Sequence, residues 1–152
     1  ISEMLQEFNK LPLWLRALII LALAIIIYKI VKKLISDYQI NSLLQQQKKH
    51  YTVPIYDANG NPLPTATGTQ TYFDGSAAAK SFYDAIYDYG WFFGYGEDEA
   101  GMLAAINSVP TGYMPIVEEA YTKLYKKNMQ DDAISYLSAS DYATVKQRFD
   151  EK

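Results

Sequence analysis

The carboxylates are the residues of this chain with the greatest chemical reach. Glu97, Asp98 and Glu99 form one run, Glu118 and Glu119 a second, and Asp131 and Asp132 a third. Two carboxylates on opposite sides of a glycosidic bond do acid and base work on it. Adjacent helical positions point in different directions, however, so none of these runs is by itself a preformed pair. Glu97 and the Asp131-Asp132 pair read first as acids in the opening turn of a helix, where the dipole favours them. His50 is the sole histidine and lies next to Lys48 and Lys49; with no partner in view it reads as a solvated loop residue. The absence of cysteine excludes thiolate zinc and disulfides. Neither Gly-x-Ser-x-Gly nor a Gly-rich phosphate loop ending in Lys-Ser/Thr occurs. No catalytic constellation emerges, and a hydrolase is the third of three functional readings.

Aromatic residues offer a different chemistry. Tyr87-Asp88-Tyr89-Gly90-Trp91-Phe92-Phe93 is followed by Tyr95. One reading has these rings covering the core of a small domain. The other exposes Trp91, Phe92, Phe93 and Tyr95 as a contact surface, since such rings dominate binding energy at interfaces and exposed apolar patches are rare on monomers.

The elements that must position these groups begin with Leu11 to Val31, LPLWLRALIILALAIIIYKIV. A bilayer core needs about 20 mostly apolar helical residues. This stretch supplies them if Arg16 and Lys29 snorkel from its ends, with Trp14 and Tyr28 at the interfaces. The expectation is a single transmembrane helix over residues 11–31, after a lead-in over 1–10. Lys29, Lys32 and Lys33 outnumber Lys10 and Arg16, which puts the C-terminal domain on the cytoplasmic side. Leu34, Ile35 and Tyr38, then Ile40, Leu43 and Leu44, keep helical spacing with one break, so the helix is expected to continue as a stalk over residues 32–50. Residues 51–75, rich in turn formers around Asn59-Gly60, predict a linker or short β-hairpin.

Residues 76–152 read as five short helices. They start at Ala77, Glu97, Pro115, Met129 and a Ser140 cap, and carry inward Phe82, Met102, Ile106, Leu124, Val145 and Phe149. The fold class is therefore all-α. Charge follows the same division: residues 1–50 hold seven Lys/Arg against three Asp/Glu, while residues 51–152 hold seven against fourteen. An acidic distal domain is unsuited to nucleic acid, so no nucleic-acid partner is expected.

Two blocks in this helical region, Gly94 to Glu99 and Ala120 to Ala133, together resemble an annexin repeat. Gly94-Tyr95-Gly96-Glu97-Asp98-Glu99 stands where the family has Gly-x-Gly-Thr-Asp-Glu. The run Ala120-Tyr121-Thr122-Lys123-Leu124-Tyr125-Lys126-Lys127-Asn128-Met129-Gln130-Asp131-Asp132-Ala133 is similar to its Ala-Tyr-x-x-x-Tyr-Gly-x-Asp-Leu-x-x-Asp-Leu, and Leu137-Ser138 matches the Leu-Ser or Leu-Thr before the last helix. The resemblance covers residues 77–149 and implies one annexin-like domain. It also implies a Ca²⁺ loop at Gly94, Gly96 and Glu97. Tyr136 stands where the distant carboxylate of that site is expected, and a phenol is a poor ligand for a hard cation. Lys126 replaces a glycine, which shifts any left-handed residue to Asn128.

The leading functional reading is a non-enzymatic membrane-anchored protein that takes no cofactor. It joins a bilayer, through residues 11–31, to protein partners in a multicopy assembly such as a membrane-containing virion or an envelope complex. A calcium-dependent lipid sensor is the second reading.

Overall fold

The computed structural model describes residue 6, residues 8–88 and residues 96–151. The chain divides into two units, Ile1–Asn41 and Ser42–Lys152. A continuous helix, α1 (Leu13–Tyr51), runs through the boundary. It holds no glycine or proline. Pro12 opens it, its carbonyl accepting from Leu15 N at 3.0 Å and Arg16 N at 3.1 Å, and Lys48, Lys49 and His50 sit in its last turn, where cations oppose the dipole. The break in apolar spacing between Tyr38 and Ile40 does not interrupt it, and it takes in Tyr51, which the sequence assigns to the linker.

Among the described residues no helix is long and apolar enough to cross a membrane. The charge-free stretch of α1, Ala17 to Tyr28, is twelve residues. That is about 18 Å at 1.5 Å per residue, against a hydrocarbon core of about 30 Å. The span expected over 11–31 is longer than this charge-free stretch and takes in Arg16 and Lys29. It holds only with Arg16 and Lys29 inside or at its edges.

Residues 51–75 are not a plain linker. Strands β1 (Thr52–Pro54) and β2 (Tyr72–Asp74) pair antiparallel, Thr52 opposite Asp74 and Pro54 opposite Tyr72. Bridges join Tyr56 to Pro62 and Pro64 to Gln70. The three pairings are related by steps of eight residues. A closed ring of hydrogen bonds links them: Ile55 N to Thr71 O at 2.9 Å, Leu63 N to Ile55 O at 2.9 Å, and Thr71 N to Leu63 O at 2.8 Å. The cause is a tandem octapeptide, Ile55-Tyr-Asp-Ala-Asn-Gly-Asn-Pro followed by Leu63-Pro-Thr-Ala-Thr-Gly-Thr-Gln. In each copy a glycine with positive φ, Gly60 or Gly68, closes the turn. Asp57 Oδ1 accepts from Asn59 N and Asn61 N at 2.9 and 2.8 Å, while Thr65 Oγ1 accepts from Thr69 N at 3.2 Å. The Asn59-Gly60 turn is present as expected; the approximate threefold knot around it is not legible from turn chemistry alone.

Among the described residues five short helices follow: α2 (Gly75–Tyr87), α3 (Glu99–Asn107), α4 (Met114–Tyr125), α5 (Met129–Tyr136) and α6 (Ala139–Phe149). Side-chain caps set their starts. Asp74 Oδ1 accepts from Ser76 N and Ala77 N at α2. Asp98 takes Gly101 N at 2.8 Å, so α3 starts at Glu99 and leaves Glu97 in the loop. Asn128 caps α5 through Asp131 N. Ser138 rather than Ser140 caps α6, accepting from Asp141 N at 3.2 Å, because it lies three residues before that N–H. Phe82, Met102, Ile106, Met114, Val117, Tyr121, Met129 and Val145 are fully buried and form one core. Among the described residues the fold is mostly helical, with one small sheet.

Candidate functional site

The densest constellation of functional groups lies among α2, α4 and α5. Tyr83 and Tyr87 are one turn apart on α2, as are Tyr121 and Tyr125 on α4, so each pair shares a helix face. Tyr83 stacks on Tyr125 with centroids 3.8 Å apart and planes inclined by 6°. Tyr83 and Tyr87 lie at 4.6 Å, and Tyr136 meets Tyr87 edge-on at 5.7 Å. At the centre is Asp132, in the first turn of α5. Its Oδ2 accepts from Tyr121 Oη at 2.6 Å and from Tyr87 Oη at 3.1 Å.

In this arrangement the phenols are favoured in their protonated form. Burial pushes the Tyr87, Tyr121 and Tyr125 phenols well above their ordinary range; Tyr136 and then Asp132 add to the effect at Tyr87, Asp132 at Tyr121 and Asp84 at Tyr125. A phenol whose folded pKa is raised contributes stability that is complete below the unfolded value near 10 and is lost as pH rises toward the folded value. The helical unit is therefore expected to unfold cooperatively above pH ~10, with a group of tyrosines that ionise only on unfolding. Absorbance at 295 nm followed alongside circular dichroism checks this; smooth titration of every tyrosine on a folded chain would contradict it.

Tyr125 Oη is buried without a hydrogen-bond partner among the described residues. Leaving such a donor unpaired costs about 1–3 kcal/mol. Tyr125→Phe keeps the stacked ring, so it is expected to leave stability unchanged or raise it by about 1 kcal/mol, read by urea unfolding.

A second cluster lines a groove of about 580 Å³ formed by Tyr51, Glu119, Thr122, Lys123, Lys126, Lys127 and Asn128. None of the three lysines has an ion-pair partner among the described residues; Lys127 Nζ lies 4.6 Å from the Tyr87 ring centre. Glu119 faces the end of α1, where Tyr51 Oη donates to it at 3.4 Å and His50 Nε2 lies 3.8 Å away. His50 thus borders a carboxylate that sequence spacing did not reveal. The Tyr51 phenol is raised by burial and by Glu119.

Lys126 ends α4 with φ 57° and ψ 33°, a left-handed residue. The left-handed position thus stays with Lys126 and does not move to Asn128, whose φ is −94°. A side chain there costs about 1 kcal/mol that glycine avoids. Lys126→Gly is expected to raise the unfolding free energy by about 0.5–1 kcal/mol, measurable by denaturant titration.

Of the residues singled out in the sequence, Trp91, Phe92, Phe93, Gly94 and Tyr95 lie outside the described residues. Gly96 has φ 89°, and it and Glu97 are exposed. Among the described residues no group of three or more His, Asp or Glu converges as a metal site. Tyr136, at the expected carboxylate position, packs on Tyr87 instead. Both clusters carry an i, i+4 signature, Tyr83/Tyr87 with Tyr121/Tyr125 and Lys123/Lys127, which could have pointed to them. No family model matches this chain, and no curated protein and no solved structure is significantly similar to it.

Proposed function

We propose that this chain is a single-pass membrane-anchored interaction protein, with α1 entering the bilayer and an annexin-like helical unit contacting protein partners. The observation that carries the reading is the surface of α1. Leu18, Ile20, Leu21, Leu23, Ile25, Ile26, Ile27, Ile30 and Val31 are between 37% and 59% exposed, and every residue from 20 to 32 is exposed. A helix apolar on all sides requires an apolar environment on all sides. Arg16 supports a boundary role: its Nε donates to Leu11 O at 2.7 Å and its guanidinium also reaches Asn9 O, so the charge turns back from the apolar stretch. With Arg16 and Lys29 as edge residues, Leu13 to Ile30 extends about 27 Å, enough with snorkelling to meet both interfaces. Lys29, Lys32 and Lys33 favour a cytoplasmic C-terminal unit.

The annexin-like part of the reading rests on the sequence blocks and on the count of short helices described from Gly75 onward, five, which is the number in one annexin repeat. On the octapeptide knot Tyr56 and Tyr72 occupy equivalent positions and are 49% and 59% exposed, which suits them to partner contact. Many tethered copies would make weak contacts effective, as in a virion or envelope assembly.

Reconstitution of the full chain into phosphatidylcholine vesicles followed by an alkaline carbonate wash tests the anchor. Retention with the vesicles is expected. Release into the supernatant would overturn the reading.

A further inference from the structure

We infer that the groove between the end of α1 and the α4–α5 turn binds a phosphate-bearing ligand through Lys123, Lys126 and Lys127. Residues 51–152 carry a net charge of −7 with seven basic residues in all, and three of those seven meet in this one groove. Their neighbours in sequence account for the meeting: Lys123, Lys126 and Lys127 stand at i, i+3 and i+4, and side chains at those spacings share a face. Elsewhere in the unit Lys48 lies against Asp74, Lys80 against Asp84 and Arg148 against Glu151. The groove lysines have no such carboxylate among the described residues; Lys127 lies over the Tyr87 ring, which leaves its charge unneutralised, so the three charges remain for an anionic ligand.

Lysines at a helix C-terminus also oppose its dipole, and that accounts for Lys123. It does not account for Lys126, which occupies a left-handed backbone position that glycine fills without strain. Strain kept at a charged residue points to a demand on that side chain. The cluster is compact, which suits a concentrated dianion better than an extended acidic peptide whose charges are spaced along its length. Tyr51, Thr122 and Asn128 supply neutral polar groups beside the lysines, and Glu119 sets a negative edge. A phosphate on a soluble molecule and a phosphate on a lipid headgroup share this chemistry. The inference does not depend on the anchoring of α1.

The test uses the full chain in phosphatidylcholine nanodiscs, titrated calorimetrically with inorganic pyrophosphate. Saturable binding is expected, weakening as salt rises. Lys126→Gly is expected to weaken it about fivefold while the protein unfolds no earlier, which separates lost charge from lost fold. Lys123→Gln with Lys127→Gln is expected to weaken it more than about tenfold. Glu119→Gln is expected to tighten it severalfold, because it removes a like charge from the site. In a second arm, the nanodiscs are sedimented with vesicles containing a phosphoinositide. Sedimentation that pyrophosphate competes away assigns the phosphate to a lipid headgroup; pyrophosphate binding without sedimentation assigns it to a soluble molecule. No saturable binding in either arm would overturn the inference, as would affinities that ignore all four substitutions. Binding of an octaglutamate peptide without any binding of pyrophosphate would also overturn it, in favour of a protein partner.

Discussion

Leu21→Arg combined with Ile25→Arg is expected to abolish membrane association of the full chain. Both positions lie inside the charge-free stretch and are exposed, at 57% and 50%, so neither substitution disturbs packing within the described residues. Arginine is a good helix former, so α1 itself should persist. A cationic side chain at the middle of a membrane helix costs about 2.5–3.5 kcal/mol on insertion scales. Two together cost about 5–7 kcal/mol, roughly four orders of magnitude in partitioning. Flotation of the double variant with phosphatidylcholine vesicles should therefore leave it at the bottom of the gradient. Leu21→Ala with Ile25→Ala keeps the stretch uncharged and should float. Equal flotation of the arginine variant would show that some other surface holds the chain to lipid.

Asp132→Ala is expected to be the most destabilising single change among the polar residues of the helical unit. Asp132 accepts from the fully buried Tyr121 and from Tyr87. Removing it leaves two phenolic donors without their acceptor. Hydrogen bonds to a charged acceptor contribute about 1.5–3 kcal/mol, and a stranded buried donor adds its own desolvation. The loss should be about 2–4 kcal/mol in urea unfolding, which for a unit of this size lowers the midpoint by roughly 10–20 °C. Asp132→Asn keeps an acceptor oxygen and should lose about half as much. Tyr87→Phe should lose about 1 kcal/mol, since its bond is longer and its ring only half-buried. A change below about 0.5 kcal/mol for Asp132→Ala would mean that the rings hold together by packing alone.

How much of this was legible in the sequence depends on the range of the interaction involved. The helices from α2 onward were readable because their signals are local. Apolar spacing gave the buried faces, and first-turn acids, Pro115 and the Ser140 cap placed the starts to within two residues. The errors of detail have the same cause: Asp98 and Ser138 win as caps because each reaches the free N–H three residues on, and sequence shows several eligible residues in a row. The knot at residues 55–71 was legible only in its Asn59-Gly60 turn. Its closure depends on three backbone segments meeting, and its eight-residue repeat is carried by Ala and Gly at matching positions while the other residues vary. The Asp132 site was hidden because it joins α5 to two helices that lie before it in the chain. Asp132 was visible as a first-turn acid and Tyr87 as one of the rings that could cover the core, but nothing in the spacing marked Tyr121 as buried; only their meeting in space makes them one network. The lysine groove likewise needed the end of α1 to arrive beside α4.

The central claim, that Ala17 to Tyr28 lies in hydrocarbon, is most directly tested by its depth in a bilayer. The chain has no cysteine, so Leu23→Cys and Gln46→Cys each give a single site for a nitroxide label. Electron paramagnetic resonance in phosphatidylcholine vesicles then compares relaxation by dissolved oxygen with relaxation by a water-soluble nickel chelate. The account predicts that the label at position 23 responds to oxygen and is shielded from nickel, while the label at position 46 responds strongly to nickel. Equal access of nickel to both positions would contradict it and place α1 in water.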